Sequence, residues 1–113
     1  MIILVGADTL QVVTSADGAI DVHASWLDNT AGAVSVGRSN TAIATAGTVD
    51  VVISPAAGTQ RNVRTLYIRN KDTGSNDVTV CHNDGVMVVE LYKVTLPPDG
   101  QAQYNDGNGF ASL

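Results

Sequence analysis

A chain of 113 residues is long enough for one domain and too short for two of ordinary size. Its 33 Val, Ile and Thr residues, set against one Glu and two Lys, exclude a helical protein, because β-branched side chains lose χ1 freedom in a helix. A net charge of −5 with no Lys/Arg-rich run excludes a direct nucleic-acid binder, which needs a basic patch to displace phosphate counterions.

The opening run Met1–Val5 is apolar, lacks a basic leader and stops at Gly6-Ala7-Asp8. It is too short for a secretion signal or a bilayer span, so synthesis and folding in a cytosol are expected, with no membrane partner. Asp8–Thr14 reads as a strand closed by Ser15-Ala16-Asp17-Gly18. Ala19–Leu27 alternates cleanly, with Ile20, Val22, Ala24 and Trp26 on one face and Asp21, His23 and Ser25 on the other. That period of two is a half-buried strand, with Trp26 expected in the core. Residues 28–47 are small and polar, with weak strands at most at Ala33–Val36 and Ala42–Thr45. They read as a long excursion, of the kind that carries function or disorder.

Thr48–Ser54 is a strand, followed by a loop through Gln60. Asn62–Asn70 is the next strand, with Leu66 and Ile68 on one face. Lys71–Asn76 is a turn, Asp77–His82 a strand, and Asn83-Asp84-Gly85 a hairpin signal because Gly supplies positive φ. Val86–Leu96 returns with a phase shift between Val89/Leu91 and Val94/Leu96, which predicts a bulge near Tyr92-Lys93. Pro97–Gly100 is a rigid turn. Gln101–Tyr104 and Phe110–Leu113 then flank an Asn/Asp/Gly turn.

Short strands about ten residues apart, with no helix signal, define an all-β fold: an antiparallel β-sandwich, jelly-roll or Ig-like, with a long arm-like loop. One domain spans residues 1–113, with 1–7 and 29–47 as extended arms. Aromatic residues are only 4% of the chain, so the core is thin, and neighbours in an oligomer are expected to complete it. Each arm can add a strand to a neighbour's open edge.

Catalytic and metal chemistry find little support in the residue pattern. Asp21, His23 and Ser25 share a strand face, but no Gly-x-Ser-x-Gly motif accompanies them, and a solvated face collects such residues regardless. Cys81 and His82 are adjacent, so on a strand they point to opposite faces and cannot pair; Cys81 is expected to be a small buried hydrophobe. The Asp/Asn/Gly runs at 72–77 and 105–109 lack the calcium-loop spacing and its distal Glu. No enzyme activity, cofactor or metal is expected.

Interaction surfaces are better represented. Arg61, Arg64 and Arg69 surround one strand, and Arg38 lies in the excursion; they read either as solvated, cross-strand-paired groups or as a contact surface for an acidic partner. Ile2, Ile3 and Leu4 are the apolar contacts of the first arm. Tyr67, Tyr92 and Tyr104 could instead form an aromatic platform for sugar, which would make this a lectin-type, carbohydrate-binding module.

Several phrases resemble small tailed-phage virion proteins, the head-decoration and tail-associated β-sandwich proteins. They are Asp8–Ser15, Ile20–Trp26, Arg61–Asn70 (RNVRTLYIRN), Asp77–Val80, Leu96–Gly100 and Tyr104–Phe110 (YNDGNGF). The resemblance covers most of the chain and has no catalytic motif in it. It implies a non-enzymatic protein that cements a capsid surface, often as a trimer, with the major capsid protein as partner and the virion as its location.

Overall fold

The chain folds into ten strands, and no helix forms. The computed structural model describes residues 1–113. In chain order the strands are β1 (Ile2–Leu4), β2 (Thr9–Thr14), β3 (Ile20–Thr30), β4 (Ala33–Ile43), β5 (Gly47–Val52), β6 (Thr59–Asn70), β7 (Asn76–Asn83), β8 (Val88–Leu96), β9 (Gln101–Asn105) and β10 (Gly109–Ser112). A six-stranded sheet has the order β10-β9-β6-β3-β4, with β1 also paired to β6, and a four-stranded sheet has the order β5-β2-β7-β8. Every pairing is antiparallel. The chain is therefore all-β with two antiparallel sheets, compatible with a β-sandwich.

Inward residues of both sheets meet in one apolar cluster. Leu10, Val12, Val78 and Val80 come from the smaller sheet, and Ile20, Val22, Leu66 and Ile68 from the larger. Tyr104 is the one aromatic residue in the cluster; Trp26, Tyr92 and Phe110 pack on its margin, half-buried. Trp26 is therefore not the core residue its alternation suggested. Its indole lies under the Arg61 guanidinium, 4.5 Å from the ring centroid, where the larger sheet outruns the smaller.

Two readings of the sequence are corrected here. Residues 29–47 are not a loop. β3 and β4 pair without a break from Ile20↔Ile43 to Thr30↔Ala33, joined by a tight turn in which Ala31 and Gly32 both have positive φ. β3, β4 and β6 run 11, 11 and 12 residues, while no strand of the smaller sheet exceeds 9. The surplus length leaves Asn29–Val36 exposed as an uncovered ribbon. Residues 1–7 are not a free arm either. β1 pairs with β6 at Ile2↔Val63, Ile3↔Asn62 and Leu4↔Arg61, with Ile2 and Leu4 buried in the core. Of the three apolar contact candidates there, only Ile3 faces solvent.

β4 is built around a missing side chain. Gly37 pairs with Trp26, and a Cβ at position 37 would overlap the indole. Gly37→Val should expel the ring, break its contact with Arg61 and cost about 1–3 kcal/mol. Because Trp26 is the only tryptophan, its emission should shift to the red in the folded variant. An unchanged spectrum and melting curve would show that the ring does not rest on Gly37.

Two bulges set the faces of the longer strands. Arg64 is skipped on β6 between Ser25↔Thr65 and Trp26↔Val63. Leu91 is skipped on β8 between Val80↔Tyr92 and Cys81↔Glu90, one residue before the position expected from the phase shift.

Two buried asparagines fasten the ends of the strands. Asn70, with no exposed surface, donates from Nδ2 to the carbonyls of Gly74 (2.9 Å), Leu96 (3.0 Å) and Pro97 (3.3 Å), and its Oδ1 accepts from Asp72 N–H. Asn76 Oδ1 accepts from the N–H groups of Ser15 and Ala16, and its Nδ2 donates to Ala16 O. Neither residue stood out in the sequence, where Asn beside Lys, Asp or Ser reads simply as a turn.

Candidate interaction surfaces

The arginines do not form one surface. Arg61 binds Asp28 through Nε (2.9 Å) and Nη2 (3.0 Å), donates to Ile53 O and covers Trp26, so its guanidinium is committed within the chain. Arg64, on the β6 bulge, pairs with Asp106 at 3.2 Å, and Asp106 also meets the N-terminal amine at 3.3 Å. Arg69 is exposed and approaches Asp99 at 3.7 Å. With the Asn40 amide turned so that its nitrogen donates to His23 Nδ1 (2.6 Å), its oxygen accepts from Arg38 Nη1 at 3.3 Å.

The three tyrosines are likewise separated. Tyr104 is buried, and its hydroxyl has no partner; burial, then the nearby Asp106 charge, push its pKa up. Tyr92 stacks on Phe110 with centroids 4.8 Å apart, and Phe110 also touches Tyr104 at 4.9 Å. Those rings close the side of the molecule where β8 and β10 meet. Only Tyr67 stands on an outer face, 6.3 Å from the His23 ring and nearly parallel to it. The pair sits in an open depression of about 510 Å³ with Asp21, Asn40, Arg69 and Gln101. Of the three tyrosines named for the alternative sugar platform, only Tyr67 lines this depression, beside His23.

No relay links Asp21, His23 and Ser25. Asp21 pairs with Lys71 at 3.0 Å, His23 bonds Asn40, and Ser25 Oγ bonds Thr65 Oγ1 at 2.5 Å. Strand geometry spaces the three along one face, and each finds a cross-strand or flanking partner instead. Cys81 is buried; loss of solvation, then the Glu90 charge, raise its thiol pKa, which suppresses the nucleophilic thiolate. The carboxylates of the 72–77 run have partners within the chain: Asp72 accepts from Gly74 N–H, and Asp77, on β7, accepts from the Thr95 hydroxyl.

Edges carry the exposed apolar surface. Val34 and Val36 project from the outer face of the β3–β4 ribbon. On the other sheet Val88, Val89 and Leu91 of β8, a strand paired on one side only, are exposed, as are Val86 and Met87 in the turn that leads into it. His82, opposite Val89, lies 3.1 Å from Ile3 O and 3.5 Å from Asp8, which brings the exposed Ile3 to the same end. A long apolar edge left open in water invites pairing with another chain.

The turn feeding this edge depends on a carboxylate. Asp84 accepts from the N–H groups of Met87 (2.6 Å) and Val86 (2.9 Å), which hold its pKa below the ordinary carboxyl value. A depressed pKa means that the turn gains stability above the ordinary value and loses it as pH falls through the lowered one. The Val86 and Met87 amide resonances should therefore move together below about pH 4. Flat shifts across that range would show that the carboxylate does not hold the turn.

Comparison with family models, with characterised proteins and with solved structures found no match to this chain. Its function is therefore read from the surfaces themselves.

Proposed function

We propose that the protein is a non-enzymatic capsid decoration protein of a tailed phage, which bridges neighbouring copies of the major capsid protein on the outside of the virion. The observation that carries this reading is the uncovered ribbon Asn29–Val36, which extends past the smaller sheet and exposes Val34 at 64% and Val36 at 80%. Such a ribbon can reach over a subunit boundary, and its edge β4 has unpaired backbone groups to offer. Repeated crossing of the chain between sheets (β3 and β4 in one, β5 in the other, β6 back, β7 and β8 across again) favours a jelly-roll over an Ig-like arrangement. In this reading Arg38, Arg64 and Arg69 are the arginines able to meet an acidic capsid surface, since Arg61 is held by Asp28.

Heat release of DNA from particles stripped of the protein tests the reading. Adding the protein back should raise the release temperature, and Val34→Asp/Val36→Asp should fail to do so while remaining folded. No protection by the unaltered chain would remove the cementing role.

The second reading, a tail-tip or fibre module that binds host-surface carbohydrate, is favoured by one observation: the Tyr67–His23 pair in an open depression. Sugar-dependent NMR shifts at His23 and Tyr67, lost in Tyr67→Ala, would support it. The absence of binding at millimolar sugar would exclude it.

A further inference from the structure

Five strands are paired on one side only, and they differ in what they offer; β1 is the shortest, at 3 residues. β10 is short, at 4 residues. β5 carries Asp50, and β4, although Val34 and Val36 are exposed on it, carries a single charge, Arg38, with none of opposite sign. β8 is 9 residues long, with Val88 55%, Val89 45% and Leu91 38% exposed, preceded by Val86 and Met87 at 97% and 61%. It also has one charge of each sign, Glu90 and Lys93. In a regular strand, residues three apart point to opposite faces. The Leu91 bulge cancels that: Glu90 stands opposite Cys81 and Lys93 opposite Thr79, and Cys81 and Thr79 share the outer face of β7.

This phase has a consequence for pairing of β8 with itself. Two antiparallel copies related by a twofold axis normal to the sheet bring residue i opposite residue j, and both must point to the same face. In one register Glu90 of each copy faces Lys93 of the other. The same register sets Val89 against Val94, both inward, and Val88 against Thr95, both outward. Met87 and Val86 then lie against Leu96 and Pro97 of the second copy. A register centred on Lys93 would oppose like charges, and one centred on Val89 would pair only the first half of the strand.

We propose that two copies of this chain associate through β8, antiparallel about a twofold axis, with Glu90 of each facing Lys93 of the other and the two four-stranded sheets joined into one of eight strands. The pairing satisfies the open backbone edge and covers the apolar run at 86–91. It rests on the edge and its charges alone, independently of the capsid reading, and it is twofold where the resemblance implied a threefold assembly.

Light scattering during gel filtration, with charge reversals, tests this. At about 100 µM the unaltered chain should elute at twice its 11.7 kDa mass. Glu90→Lys and Lys93→Glu, each placing like charges face to face twice, should separately weaken association at least about tenfold and elute as monomers. Mixing the two variants should restore the dimer, since each then supplies the sign the other lacks, and so should the double exchange in one chain. Circular dichroism establishes that each variant is folded. Amide exchange of β8 in the unaltered chain, slower as concentration rises, reads the same edge without mutation. A monomer at 100 µM, a trimer, a dimer indifferent to either reversal, or a mixture that stays monomeric would each overturn the proposal.

Discussion

Asn70→Leu should lower the unfolding free energy by about 3–4 kcal/mol, because the substitution keeps the volume but withdraws every bond the amide makes. Leu96 O and its neighbours Gly74 O and Pro97 O lose their donor at once, and an acceptor buried without a partner costs about 1–3 kcal/mol. For a domain of this size the melting temperature should fall by roughly 15 °C. Asn70→Asp sharpens the test. An ionised carboxylate facing three carbonyls is repelled, so the folded state favours the protonated acid, which can still donate. Its folded pKa is therefore raised, and the variant should be most stable below the ordinary carboxyl range and lose stability as pH rises through the raised value. Equal stability of Asn70→Asp at pH 4 and pH 7 would show that the amide does not clamp these turns.

Leu4→Ala is the second large effect, at about 3 kcal/mol. Leu4 has no exposed surface and belongs to the same cluster as Val63 and Tyr104, although it lies in a strand of three residues near the chain start. Deleting residues 1–5 removes Ile2 as well, so the melting temperature should fall further than in Leu4→Ala. This reverses the expectation for a free arm, whose removal would cost assembly and leave the domain intact. A deletion variant that melts with the full chain would restore the arm.

These two residues mark where the sequence stopped being informative. β2, β3, β6, β7 and β9 were legible because large apolar and polar side chains alternate along them, as with Ile20, Val22 and Ala24 against Asp21, His23 and Ser25. β4 was not, because its contrast is inverted. Its inward positions are Gly37, Ser39 and Thr41, kept small by the Trp26 ring and the Val51 carbonyl that Ser39 bonds, while Val34 and Val36 point into solvent. Small inside and apolar outside reads as no strand at all. β1 is too short to show a period. Asn70 and Asn76 look like turn residues until partners 26 and 60 positions away surround them. The candidate surfaces divide the same way. Exposure of Arg69 and Tyr67 could be anticipated from one strand's alternation, but the engagement of Arg61 by Asp28 and the shared face of Glu90 and Lys93 depend on pairing and on bulges. A bulge moves a side chain from one face to the other, and spacing alone does not carry that information.

The thin aromatic content acquires a different meaning in the folded chain. The aliphatic cluster closes with a single tyrosine inside it, and the remaining apolar surface lies at the edges, in the ribbon and along β8. These exposed apolar residues are the surface that the proposed contacts with other chains would cover.

Co-sedimentation with capsids assembled from a tailed-phage major capsid protein tests the proposed capsid binding most directly. The purified chain should pellet with the particles and saturate at a fixed ratio to capsid protein, with Val34→Asp/Val36→Asp left in the supernatant. A chain that stays in the supernatant at micromolar concentration, with particles in excess, would contradict it.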